Sequence, residues 1–273
     1  MGQLSRAMMA SAALVLLAST AGAQGAKPLT KCAVDAVVSG TVCMDKFEAS
    51  VWRVAGPTTI NKGLVKKIQQ GKATLADLAK GSATQLGVSS DDYAPCSNSG
   101  QDCTDTIYAV SVAGVTPSSR MTWFQAQAAC ENARKRLPSN AEWQAAVAGT
   151  PDPGGLNPDN GTTDCKTAGA FTAVATGSRS SCKSARGAFD MVGNLFEWVA
   201  DWVPRSTACG TWSAGVSPTG DDQCLAGAAT TGEPGALLRG GGFSNGSDAG
   251  PLAVDGGNGP SRAYFNVGFR CAR

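Results

Sequence analysis

The 273-residue chain contains no histidine. Imidazole is the usual neutral-pH base and a common metal ligand, so a Ser-His-Asp triad and a mixed Cys/His zinc site are excluded. There is no Cys-x-x-Cys pair and no GxxxxGK loop, which removes the usual thiolate zinc spacing and the nucleotide-phosphate cradle. Excess charge is absent as well. Lys and Arg number 23 against 21 Asp and Glu, so neither nucleic acid nor an acidic membrane is an expected partner. The Ala7–Ala18 apolar run is too short to span a bilayer comfortably. Arg6 precedes it and Ala21-Gly22-Ala23 follows, the layout of a secretory signal cleaved after Ala23. The first cysteine is Cys32, too far on for a lipid anchor. The expectation is a secreted or periplasmic protein with no membrane anchor after cleavage.

Cysteine, by contrast, is plentiful, with ten in the mature part. An even number in an exported chain implies a disulfide framework. Local spacing suggests Cys32 with Cys43, Cys96 with Cys103, Cys165 with Cys182, and Cys209 with Cys224. Cys130 and Cys271 remain, to tie the middle of the chain to its end.

With 34 glycines and 13 prolines, much of the length reads as loop, and residues 24–273 read as one compact α+β domain. Thr41–Val54 reads as a strand leaving a hairpin closed by Cys32–Cys43. Residues 62–86 show helical spacing of Leu, Val and Ile, with Thr74 as a cap, inside an inserted stretch at about 57–104. Thr122 with Gln125 and Ser139 with Glu142 are capping boxes. They open helices from Trp123 to about Arg134 and from Ser139 to about Val147, with Pro138 between them.

Residues 187–203, GAFDMVGNLFEWVADWV, concentrate Phe189, Phe196, Trp198 and Trp202 around Asp190, Glu197 and Asp201. The aromatics are expected to form one central cluster. Gly193-Asn194 reads as a turn, since both residues tolerate left-handed angles. Acids in such surroundings need an arginine, backbone N–H groups or a metal.

MTWFQAQAACENARKRLPSNAEWQAAV, GAFDMVGNLFEWVADW, LRGGGFSNG and NVGFRCAR follow one another over residues 120–273. Together they resemble the successive signatures of the formylglycine-generating (sulfatase-modifying factor) family. The resemblance implies a C-type-lectin-like core rich in irregular structure and a Cys130–Cys271 disulfide. It also implies structural calcium at Asp190, Gly193, Leu195 and Glu197, the two middle residues through their carbonyls. Mixed carboxylate and carbonyl oxygens in a bent loop suit calcium; the same acids could instead pair with arginines or cap turns. The family's second calcium loop corresponds to residues 157–171, where no clean match exists. Formylglycine generators also hold Cu(I) with two cysteines, whose positions fall on or near Asn245 and Gly250 here. No cysteine lies between Cys224 and Cys271, so copper is not an expected cofactor. A related branch that binds iron through three histidines is excluded. A third branch, which matures siderophore chromophores, offers no catalytic set that can be matched to these residues.

The remaining polar surface, residues 239–264, carries Arg239, Asn245, Asp248, Asp255, Asn258, Arg262 and Tyr264 among glycines. Held on a rigid scaffold it could bind an exported protein, a peptide or a glycan, or it could be a set of solvated turns. Arg270 is expected to anchor an acid of the aromatic stretch. Three functions follow: a calcium-stabilised ligand- or protein-binding scaffold, a maturation enzyme using non-copper chemistry, or a structural envelope protein.

Overall fold

A computed structural model describes residues 29–94, 96–103, 106–154, 158–210 and 220–273. The signal-peptide reading and Asn157, where the second calcium loop begins, lie outside these residues. The chain opens with an antiparallel hairpin, β1 (Ala36–Ser39) and β2 (Val42–Asp45), turned by Gly40 at φ 63°. β3 (Ala49–Arg53) follows. Between β3 and the fifth strand the inserted stretch forms α1 (Lys62–Gln69), α2 (Leu75–Lys80) and β4 (Thr84–Leu86). The helical spacing of the sequence extends to Leu86, but Ser82 takes φ 51° and turns the chain out of α2. Residues 84–86 then pair with β3, whose other edge takes β5 (Ile107–Ser111).

The two capping boxes form as expected. Thr122 and Ser139 accept from the N–H three residues on, at the starts of α3 (Trp123–Asn132) and α4 (Asn140–Val147). The aromatic stretch becomes β6 (Phe196–Val203), in a five-stranded sheet with β7 (Gln223–Cys224), β8 (Gly235–Arg239), β9 (Val254–Asp255) and β10 (Val267–Phe269). The order is β10-β6-β8-β9-β7, with β10 parallel to β6. The four aromatics do not share one cluster. Phe196 and Trp198 are in the core, Phe189 stacks on Phe47 at 5.4 Å, and Trp202 sits half-exposed against Trp123 at 5.1 Å. Phe189 precedes the strand, and a register shift between Trp198 and Trp202 breaks the alternation that would otherwise keep Trp202 on the face of Phe196 and Trp198.

All five disulfides pair as the spacing indicates: 32–43, 96–103, 130–271, 165–182 and 209–224. Among the described residues no helix is long and apolar enough to cross a membrane. The end of the chain is threaded inward. Ala272 bridges Met44 and Arg136, and Arg273 exchanges both backbone hydrogen bonds with Cys43. Beneath it lies a buried ionic group in which the Lys135 ammonium donates to Asp35 at 2.7 Å and to Asp45 at 2.6 Å. Asp45 also accepts from the Cys271 N–H. Removing one partner of such a group strands the others without water. Lys135→Ala is therefore expected to cost about 3–5 kcal/mol of unfolding free energy in chemical denaturation; a loss below about 1 kcal/mol, typical of an exposed pair, would contradict it.

Candidate functional site

The turn before β6 is built on left-handed residues, Asp190 at φ 56°, Gly193 at 72° and Asn194 at 58°. At Gly193 a Cβ would lie 2.4 Å from the Lys166 carbonyl, so glycine is required by space as well as by angle. The turn faces three buried carboxylates, Glu48, Asp190 and Glu197, and one buried guanidinium, Arg270. Arg270 grips Glu197 through Nε (2.8 and 2.9 Å) and Nη2 (2.6 Å), and donates to the Asp45 and Phe189 carbonyls. Trp143 Nε1, on α4, adds a 2.6 Å bond to Glu197. Glu48 accepts from the Leu195 N–H at 2.9 Å and from Asn194 Nδ2 at 2.5 Å, and Asp190 accepts from the Gly177 N–H at 2.7 Å.

This arrangement divides the expected calcium ligands. Glu197 has both oxygens engaged by Arg270 and Trp143, the arginine pairing that was the alternative for this acid. Asp190 and the two carbonyls fit a cation better. Among the described residues no donor is bonded to the Gly193 or the Leu195 carbonyl, both in buried residues. Ionised together, the three carboxylates would outnumber the one guanidinium, a charge that a cation would offset. In the 158–171 loop the chain supplies its own cation. Lys166 is buried and places its ammonium on the carbonyls of Ala168, Ala170 and Phe243.

The Gly-rich face separates into residues that meet and residues that do not. Asp255, Asn258 and Tyr264 come together with Asn266 around a recess of about 240 Å³, floored by Phe196 and Leu238. Asp255 is fixed by the Gly257 N–H (2.6 Å) and Asn258 Nδ2 (2.7 Å). The same two side chains line a second recess of about 270 Å³ beside the Cys209–Cys224 disulfide. The other candidates have different partners. Arg239 is 3% exposed, lies 4.6 Å over the Trp143 ring and donates to Gln144 and Pro251; burial pulls its guanidinium down to about 10. Asn245 turns back to accept from the Gly242 N–H. Asp248 lies in a 3₁₀ turn outside the recess, and Arg262 reaches Glu233 at 3.6 Å. Glu48, Trp143 and Asn266 were not among the expected residues. An acid set between Phe47 and the buried start of β3 was the available signal for Glu48.

Burial pushes the Asp190 carboxyl up to about 7. Burial, with Asp190 and Glu197 adding repulsion, holds Glu48 well above the ordinary carboxylate range. The folded chain therefore keeps protons that the unfolded chain releases near pH 4, and this contribution to stability is lost as pH rises towards 7. In metal-free buffer the melting temperature is expected to fall between about pH 4 and about pH 7, with a shallower fall in Asp190→Asn. An unchanged slope in that variant would show that Asp190 is not one of the groups responsible.

Among curated proteins, the chain is similar to the serine/threonine-protein kinase Pkn1 of Chlamydia trachomatis serovar L2 and to pkn1 of Chlamydia pneumoniae. Identity is 30% over 160 and 158 residues, covering 58% of this chain and 24% of each relative; the chain thus spans about a quarter of their length. Among solved structures it is similar to PvdO from Pseudomonas aeruginosa, with 17% identity, a TM-score of 0.43 and coverage of 87% and 82% of the two chains. The Major Tropism Determinant P3c variant gives 20% identity, a TM-score of 0.40 and coverage of 62% and 45%. Residues 83–273, more than half of the chain, match the sulfatase-modifying factor enzyme 1-like domain, and the protein belongs to that family.

Proposed function

We propose that this chain is an extracytoplasmic scaffold that binds a peptide or glycan in the recess formed by Asp255, Asn258, Tyr264 and Asn266. The observation that carries this reading is the recess itself. An apolar floor, two carboxamides, a fixed carboxylate and an exposed tyrosine meet at one place, the mixture that orients a small ligand over an apolar surface. Asp255 and Asn258 also line the second recess, so the two hollows adjoin across these side chains. Arg239, at one edge of the place where a maturation enzyme would need converging acids, is instead packed on Trp143 and bonded to Gln144.

Copper-dependent oxidation has no evident ligands in this reading. The two thiol positions fall on or near Asn245 and Gly250, and all ten cysteines are in disulfides. The five disulfides fit an oxidising compartment outside the cytoplasm. We assign a structural calcium to Asp190 and the Gly193 and Leu195 carbonyls, with Glu197 held close by Arg270. Calcium would supply the charge balance that Arg270 alone does not.

Glycan and peptide arrays are expected to yield a ligand whose affinity drops about tenfold or more in Tyr264→Ala and Asn258→Ala, with unchanged melting. Equal binding by both variants would move the site elsewhere. Oxygen uptake with Cu(I) and a cysteine-containing peptide is expected to stay at background; peptide-dependent uptake would restore the enzyme reading. Calcium is expected to raise the melting temperature by at least about 2–4 °C over chelator, a response lost in Asp190→Ala. Identical melts of the parent protein in calcium and in chelator would remove the ion from the site.

A further inference from the structure

A cavity of about 450 Å³ runs along one face of α1, a helix that lies outside the family match, while Tyr108 and Arg134 on its other side lie inside it. Lys62, Lys66 and Arg134 line it with Val65, Gln69 and Tyr108, and no acid is in the lining. Among the described residues none of these three cations is in a salt bridge, whereas the adjacent Lys67 is paired with Asp77 at 2.5 Å. The acid nearest Arg134 in the chain, Glu131, is taken up by Gln127 at 2.7 Å.

Two of the three cations sit against the local preferences of the chain. Lys62 is the first residue of α1, where the helix dipole disfavours positive charge. That end has no acid in its first turn and no side-chain cap, while α2, α3 and α4 all begin with capping boxes. Arg134 holds φ 57° at the C′ position that closes α3, where its N–H and that of Lys135 bond the Glu131 and Cys130 carbonyls and glycine or asparagine is the usual residue. Here both departures place a free cation at the rim of the same cavity.

We propose that this groove binds an acidic, extended segment of a partner polypeptide, at a site independent of the Asp255 recess. Lys62 and Lys66 are one helical turn apart, about 6 Å along the axis. Alternate side chains of an extended strand repeat at about 6.6 Å, so carboxylates on every second residue match that spacing. Arg134 would take a further carboxylate through its planar fork. Val65 and Tyr108 provide an apolar floor; Gln69 Nε2 donates to the Asn132 carbonyl at 3.0 Å, which leaves its oxygen, with the Gln70 amide, to meet main-chain groups.

The test is fluorescence polarisation of the full chain with a short labelled peptide of alternating glutamate and threonine. A glutamine analogue and a sulfated polysaccharide are the comparison ligands. The glutamate peptide is expected to bind at low salt and weaken steeply as salt rises. Lys66→Ala and Lys62→Ala are each expected to weaken it by about fivefold, as is Arg134→Asn, which tolerates the left-handed backbone. Lys67→Ala, in the same helix but outside the lining, should leave binding unchanged. All four positions are exposed, and melting curves confirm that each variant is folded. Equal binding of the glutamine peptide would overturn the proposal. So would indifference to all three lining substitutions, or a response of the polysaccharide alone to them.

Discussion

A guanidinium with no contact with water stands where four segments of the chain meet. Arg270 joins the end of β10 to Glu197 on β6, to the carbonyl of Asp45 beside the first hairpin, and to that of Phe189 ahead of the central turn. An arginine is buried at such a place only when its donors are satisfied, and here five bonds reach carboxylate and carbonyl oxygens. Trp143 draws α4 into the same group by donating to the other side of Glu197. The geometry of the turn at 190–195 follows from this, because Glu48 must hold the Leu195 N–H and Asn194 amide while Glu197 is held from behind.

The turn and the Gly-rich face are thus two sides of one strand. β6 pairs through Glu197 with Arg239 of β8, and Phe196 forms part of the floor of the recess. The charged cluster fixes the strand from the buried side, and the exposed side carries the loops. That division fits a scaffold whose polar interior is spent on shape, leaving its outward residues free to vary with the ligand.

What could be read from the residues follows the range of the interaction. The capping boxes of α3 and α4 act over three residues, and four of the disulfides close short loops, so spacing reveals them. The left-handed turn at Gly193-Asn194 is legible for the same reason. Glu48 joins Asn194 across 146 positions, and nothing local to either residue announces the other. Arg239 looked like a surface arginine beside glycines, yet those glycines let the backbone close over Trp143 and bury it. Of the candidate recess, Asp255, Asn258 and Tyr264 were legible as neighbours in the chain. Asn266 and Phe196 joined them only through the parallel pairing of β10 with β6.

That parallel pairing also sets the order of assembly. β10 cannot dock until β6 is in place, and the loop between them must be closed without help from a tight turn. The Cys130–Cys271 bond spans 141 positions, against 7 to 17 for the other four. Closing that long loop therefore costs more chain entropy than closing any of the four short ones. Until that closure the carboxylates around Arg270 remain open to water, and the interior of the protein is completed by its last strand.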